Sequence, residues 1–175
     1  AFDFVSEVPV EDVVPDEEGE TFFGYYDKSP ENNSSDYIVC HQTIRSTKKL
    51  PSPKESIRII CLDLKTKEKV VEIETSAYNW QQGARLQWLT TTSFIYNDFD
   101  SVANRYISRI IDLNSPDQPV ILPSPVSDVF KDKYFLTLNY ARLAAYSPDY
   151  GYRNMVCLEY GLDNLKQDGV FIGTL

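Results

Sequence analysis

Short apolar runs that return about every 50 residues constrain this 175-residue chain more than any other feature. Three such runs resemble one another: Tyr37-Ile-Val-Cys-His41, Ser93-Phe-Ile-Tyr-Asn97 and Tyr134-Phe-Leu-Thr-Leu138. Downstream of each lies a second run that ends in an acid: Ile59-Ile-Cys-Leu-Asp63, Ser108-Arg-Ile-Ile-Asp112 and Met155-Val-Cys-Leu-Glu159. The acids stand 49 and 47 residues apart, and a further β-rich piece follows each, at 69–74, 118–122 and 169–175. Ahead of the first two runs are Gly24-Tyr-Tyr-Asp-Lys-Ser-Pro30 and Gly83-Ala-Arg-Leu-Gln-Trp-Leu89, in matching register. A fixed period of this length marks repeats that bury their apolar faces only against one another.

The runs are short, β-branched or aromatic, and bounded by Pro, Asn, Asp and Ser, which is how strands read. No stretch keeps a helical apolar pattern for more than two turns, and residues 163–168 read as a hairpin loop. The 10 prolines fall in loops and at strand edges, where sheets tolerate them. The expected fold class is therefore all-β. Four short strands per period of about 50 residues is the pattern of a β-propeller blade. Three four-stranded antiparallel blades are expected at about 20–75, 79–123 and 127–175, behind an acidic leader at 1–19. The recurring acids read as turn builders, because a carboxylate after the third strand can accept backbone N–H bonds and start the next hairpin.

At this level the residues resemble a known family. Tyr26-Asp-Lys-Ser-Pro30, followed by Cys61-Leu-Asp-Leu-Lys-Thr-Lys-Glu68, is similar to the WD40-like repeats of TolB-type six-bladed propellers. The segments FFGYYDKSP and NWQQGARLQWL also resemble bacterial propeller proteins grouped near the oligogalacturonate lyases. The resemblance spans nearly the whole chain after about Thr21. The usual Ser-Pro-Asp-Gly turn is altered here to Ser29-Pro-Glu-Asn and to Trp88-Leu-Thr-Thr. Lyases of that group are expected to hold a divalent metal with several histidines, and this chain has one, His41. The resemblance thus implies a fold without carrying the lyase activity onto these residues, and His41 reads as a hydrogen-bonded strand histidine. Three blades do not close a ring of 4–8. The chain is expected to be half of a six-bladed propeller, or to be completed by a second chain or by further blades.

Charge narrows the partners. The formal net charge of −9 opposes a phosphate backbone, and the Lys48-Lys49 pair is too short for a basic footprint, so nucleic acid is not expected. No apolar run approaches the roughly 20 residues that span a bilayer, and residues 1–20 show no signal-peptide pattern. Cys40, Cys61 and Cys157 each sit in an apolar run and read as buried thiols. No Cys/His cluster with metal-ligand spacing exists, so no metal is expected. There is also no Gly-x-Ser-x-Gly elbow or Gly-rich phosphate loop, so neither nucleophilic hydrolysis nor a cofactor is indicated. The overlapping sequons at Asn32 and Asn33 read as loop composition.

Propeller topology would bring the connections between blades and those between second and third strands to one face. That face would gather Tyr78, Trp80, Gln81 and Gln82 with Arg85, Asn97 and Asp98, and also Asn139 and Arg142. Flat aromatics pack on the apolar faces of sugar rings, while amides and guanidinium groups fork to hydroxyls or carboxylates. An oligosaccharide is the expected ligand class, with Arg85, Arg142 and Arg153 able to meet an acidic sugar. Asp98 and Asp100 could act as acid and base, with Asp27 approaching from the first strand, if they lie close enough. The competing assignment is that Trp80, Trp88 and the tyrosines pack between blades while Asn and Asp cap turns. On that assignment the chain is a protein-interaction platform or a structural half-domain of a larger enzyme.

Overall fold

A computed structural model of the chain describes residues 8–11, 13–14, 19–155 and 169–175. Five of the six repeated runs become strands where the sequence places them, and the sixth, from Met155 on, falls largely outside the described residues. The first sheet pairs β1 (Glu20–Phe22), β2 (Tyr37–Thr43), β3 (Ile57–Asp63) and β4 (Lys69–Thr75) in chain order, all antiparallel. The second repeats that order with β5 (Gln87–Trp88), β6 (Ser93–Asp100), β7 (Arg105–Asp112) and β8 (Val120–Leu122). The third has β9 (Asp128–Phe130), β10 (Tyr134–Thr137) and β11 (Phe171–Thr174), with β10 in the middle. Among the described residues the architecture is mostly β, as expected, with one helix.

The acids after the third strands build turns. Asp63 Oδ1 accepts from the N–H groups of Lys65 (2.8 Å) and Thr66 (2.9 Å), and these bonds hold its carboxyl below the usual carboxylate range. Asp112 does the same for Asn114 N–H at 2.9 Å. Glu159, the third acid, lies outside the described residues.

The third unit departs from the pattern in two ways. Residues 139–146, expected in a connecting loop, form the helix α1 (Tyr140–Tyr146). The segment Tyr-Ala-Arg-Leu-Ala-Ala-Tyr is rich in strong helix formers, and Asn139 caps it by accepting from Arg142 N–H at 3.1 Å. Two turns are too short for the apolar period to show. In addition, β11, expected as an outermost fourth strand, pairs directly with β10. Residues 156–159 of the run expected between them, and the loop expected at 163–168, lie outside the described residues, as do 15–18 and most of the rest of the leader.

Strand alternation sends side chains to both faces of the second sheet. Phe94 and Tyr96 point one way and join Val39, Ile59, Cys61 and Val71 of the first sheet in one buried cluster. Ile95 points the other way and meets Phe135 of the third and Val126 just ahead of it. The sheets therefore stack face to face in chain order. Cys40 pairs with Ile60 and Cys61 with Val39 across β2 and β3, so the two buried thiols lie on opposite faces. Burial pushes both up to about 12, which keeps them inert.

Candidate functional site

Three loops meet at one end of the stack. They are the β2–β3 connection (44–56), the β4–β5 connection (76–86) and the segment that follows α1 (147–155). Their meeting is held by side chain to backbone bonds of long sequence separation. Trp80 Nε1 donates to Lys49 O at 2.6 Å, Asn79 Nδ2 donates to Tyr150 O at 2.9 Å, and Asn154 Nδ2 donates to Ser76 O at 3.0 Å.

Asn79 shapes the turn that carries Trp80. Its Oδ1 accepts from Gln81 N–H (3.0 Å) and Gln82 N–H (2.7 Å), while its backbone bridges to Gly83. The turn closes only because Gly83 adopts φ +57, and a Cβ there would stand 2.2 Å from His41 Cε1. His41 fills that space from β2, fully buried. It stacks on Phe22 at 4.9 Å, and its Nε2 accepts from Ala84 N–H at 3.0 Å. Desolvation lowers its pKa to about 4, so the ring is neutral and serves as a scaffold for the loop.

The result is a cleft of about 240 Å³. Its walls are Lys48, Lys49, Trp80 and Gln81, with Asn79 in its floor and Asp149 opposite. Trp80 is half-buried, edge-on to Tyr78 (5.1 Å) and Phe22 (5.7 Å), which fixes the indole. Lys48, Lys49, Gln81 and Asp149 are exposed, so polar groups share the lining with a fixed aromatic ring and with Leu50, Pro51 and Pro148. Such a surface can stack on an apolar ring face and bond to the hydroxyls at its edge.

The other candidates from the sequence separate into groups. Tyr78 is buried behind Trp80, and its hydroxyl has no hydrogen-bond partner among the described residues. Gln82 is half-buried behind the turn, with its carbonyl against Gly24. Arg85 is only 8% exposed, because its guanidinium donates to Ser127 O and pairs with Asp27 at 3.3 Å. Asn97 was expected in a connection but lies within β6, fully buried. Its amide is consumed by Val126 N–H (2.7 Å), Val126 O, Tyr152 Oη and Ser108 Oγ. Asp98 accepts from Arg109 Nε at 2.7 Å and from Thr75 Oγ1, and Asp100 caps the β6–β7 hairpin through Val102 and Ala103 N–H. Asn139 and Arg142 line a different hollow beside α1, where Arg142 lies over the Tyr146 ring at 5.4 Å.

Within the described residues, then, the carboxylates considered for acid and base chemistry are each engaged elsewhere. No group of three or more His, Cys, Asp or Glu side chains that could hold a metal comes together there. Trp88 packs edge-on to Phe94 and donates to Pro30 O at 2.8 Å, as an inter-sheet residue. The sequence missed Lys49 as the partner of Trp80 and Asp149 as a lining residue of the same cleft. The Lys48-Lys49 pair is the only local signal of that contact in the sequence. Compared with known proteins, the chain matches no family model, no curated protein and no solved structure.

Proposed function

We propose that this chain is part of a β-propeller of the TolB-like kind that binds an oligosaccharide in the Trp80 cleft, acting as a binding surface and not as a catalyst by itself. The observation that carries the ligand reading is the fixed Trp80 ring bordered by exposed polar groups of Lys48, Lys49, Gln81 and Asp149. The propeller reading is supported by the chain-order stacking of the sheets and by a charged knot beside the first strand of each. There Lys28 pairs with Asp128, and Arg85 joins Asp27 to the backbone of Ser127. Radial stacking would bring those first strands together in this way.

A screen by thermal shift, followed by calorimetry, against neutral and uronic oligosaccharides tests the ligand. Binding is expected for at least one sugar class, and Trp80→Ala should abolish it while unfolding stays cooperative. If no sugar binds, or if Trp80→Ala binds as well as the native chain, the reading fails.

A second reading has its own observation. The face of the third sheet turned away from the second presents Phe130, Tyr134, Leu136 and Ile172 around a hollow of about 460 Å³. Exposed apolar area of this kind marks a contact surface. A protein-interaction platform, or a half-ring completed by further sheets, would use it.

A further inference from the structure

We propose that Tyr26 is a second stacking platform beside the Trp80 cleft, so that the ligand is an extended oligosaccharide and not a single sugar. The inference rests on the carbohydrate reading of the cleft and adds its length requirement.

Three observations carry it. The first is size. A cleft of about 240 Å³ falls below the roughly 300–1,000 Å³ of pockets that enclose a drug-sized ligand. It has room on the order of one sugar ring, so further rings must lie on the neighbouring surface. The second is the state of Tyr26. It is 88% exposed, the most exposed aromatic ring among the described residues. Its ring lies 4.6 Å from that of Tyr25. The Tyr150 phenol beside Tyr25 in turn pushes the Tyr25 hydroxyl above its ordinary pKa.

The third is continuity with the cleft. Gly24, just ahead of the tyrosine pair, adopts φ +134 and packs so tightly on the Trp80 turn that a Cβ would stand 2.9 Å from Gln82 O. Tyr150, which braces Tyr25, is tied by its carbonyl to Asn79 in the floor of the cleft, and Asp149 next to it lines the wall. The Tyr25–Tyr26 pair and the Trp80 ring are thus fixed to one framework. Two aromatic surfaces carried on one framework suit successive rings of a chain, each offering its face to one sugar ring.

The test is a length series. Affinities of the full chain are measured by calorimetry for gluco-, xylo- and galacturono-oligosaccharides of one to six units. For the class that binds, affinity should rise steeply from one unit to three and then level off. Tyr26→Ala should weaken the trimer about 5- to 10-fold and leave the monomer unchanged, with Tyr26→Phe close to native. Trp80→Ala should weaken every length. Affinity that does not depend on length, or a trimer bound equally by Tyr26→Ala, would overturn the platform while leaving the Trp80 cleft standing. Absence of binding at every length and class overturns both.

Discussion

The side chain that most directly links the fold to the cleft is His41. Its ring occupies the space that Gly83 leaves, and the two residues together set the turn that presents Trp80. Gly83→Ala would force a Cβ to within 2.2 Å of a fully buried ring at a left-handed φ. The expected loss is about 2–3 kcal/mol, read from the urea midpoint. The loss should be less than additive with His41→Ala, which removes the clashing atoms. His41 also predicts a pH dependence. Its folded pKa of about 4 lies below the ordinary histidine value of 6.5, so between those values the unfolded chain binds a proton that the folded chain does not. Stability is therefore full above about pH 6.5 and declines as the pH falls toward 4, by about 3 kcal/mol from this residue. His41→Gln keeps an acceptor for Ala84 N–H without titrating. Denaturation of the two proteins from pH 7 to pH 4 should show the native chain losing stability faster.

Among the elements, β6 shows what the sequence can and cannot tell. Its start at Ser93 follows from the apolar run, just as β2 and β10 begin at Tyr37 and Tyr134, because alternating burial leaves a local imprint. Its continuation through Asn97 and Asp98 is hidden, because polar residues ordinarily signal a connection. Asn97 is polar inside the stack because its amide gives Val126 the two bonds that a neighbouring strand would have given. The same limit applies to the cleft. Trp80 stands out in its own segment, whereas its contacts come from 31 and 71 residues away through Lys49 and through Tyr150 bound to Asn79. No periodicity encodes such meetings of loops. Asn97→Ala would leave both Val126 groups and the Tyr152 hydroxyl without this partner, at an expected cost of about 2–4 kcal/mol. Hydrogen exchange should then quicken in β9 and β10 while β3 stays protected. Uniform loss of protection would mean that the third sheet is not a separately anchored element.

For the whole molecule, the order of stacking matters more than any single sheet. The first sheet buries Val39 and Ile59 against the second, and the second buries Ile95 against the third. The third has no equivalent cover among the described residues. Its outward Ile172 is 74% exposed and Phe130 61% exposed, with Lys131 and Lys133 lying over the Phe130 and Tyr134 rings. Lysine stems over aromatic rings shield apolar area and place positive charge around it, on a chain whose net charge is −9. An apolar centre with a basic rim is suited to association with an acidic surface, and long-range repulsion between copies should weaken self-association at low salt. Light scattering across a salt series should therefore give a mass near the 20.1 kDa monomer at low ionic strength and a rising mass as salt screens the charge. Ile172→Lys replaces an exposed side chain, so it should leave the unfolding midpoint nearly unchanged while holding the mass at the monomer value. A native chain that stays monomeric at all salt concentrations, with Ile172→Lys indistinguishable from it, would show that the face is stable as an open surface.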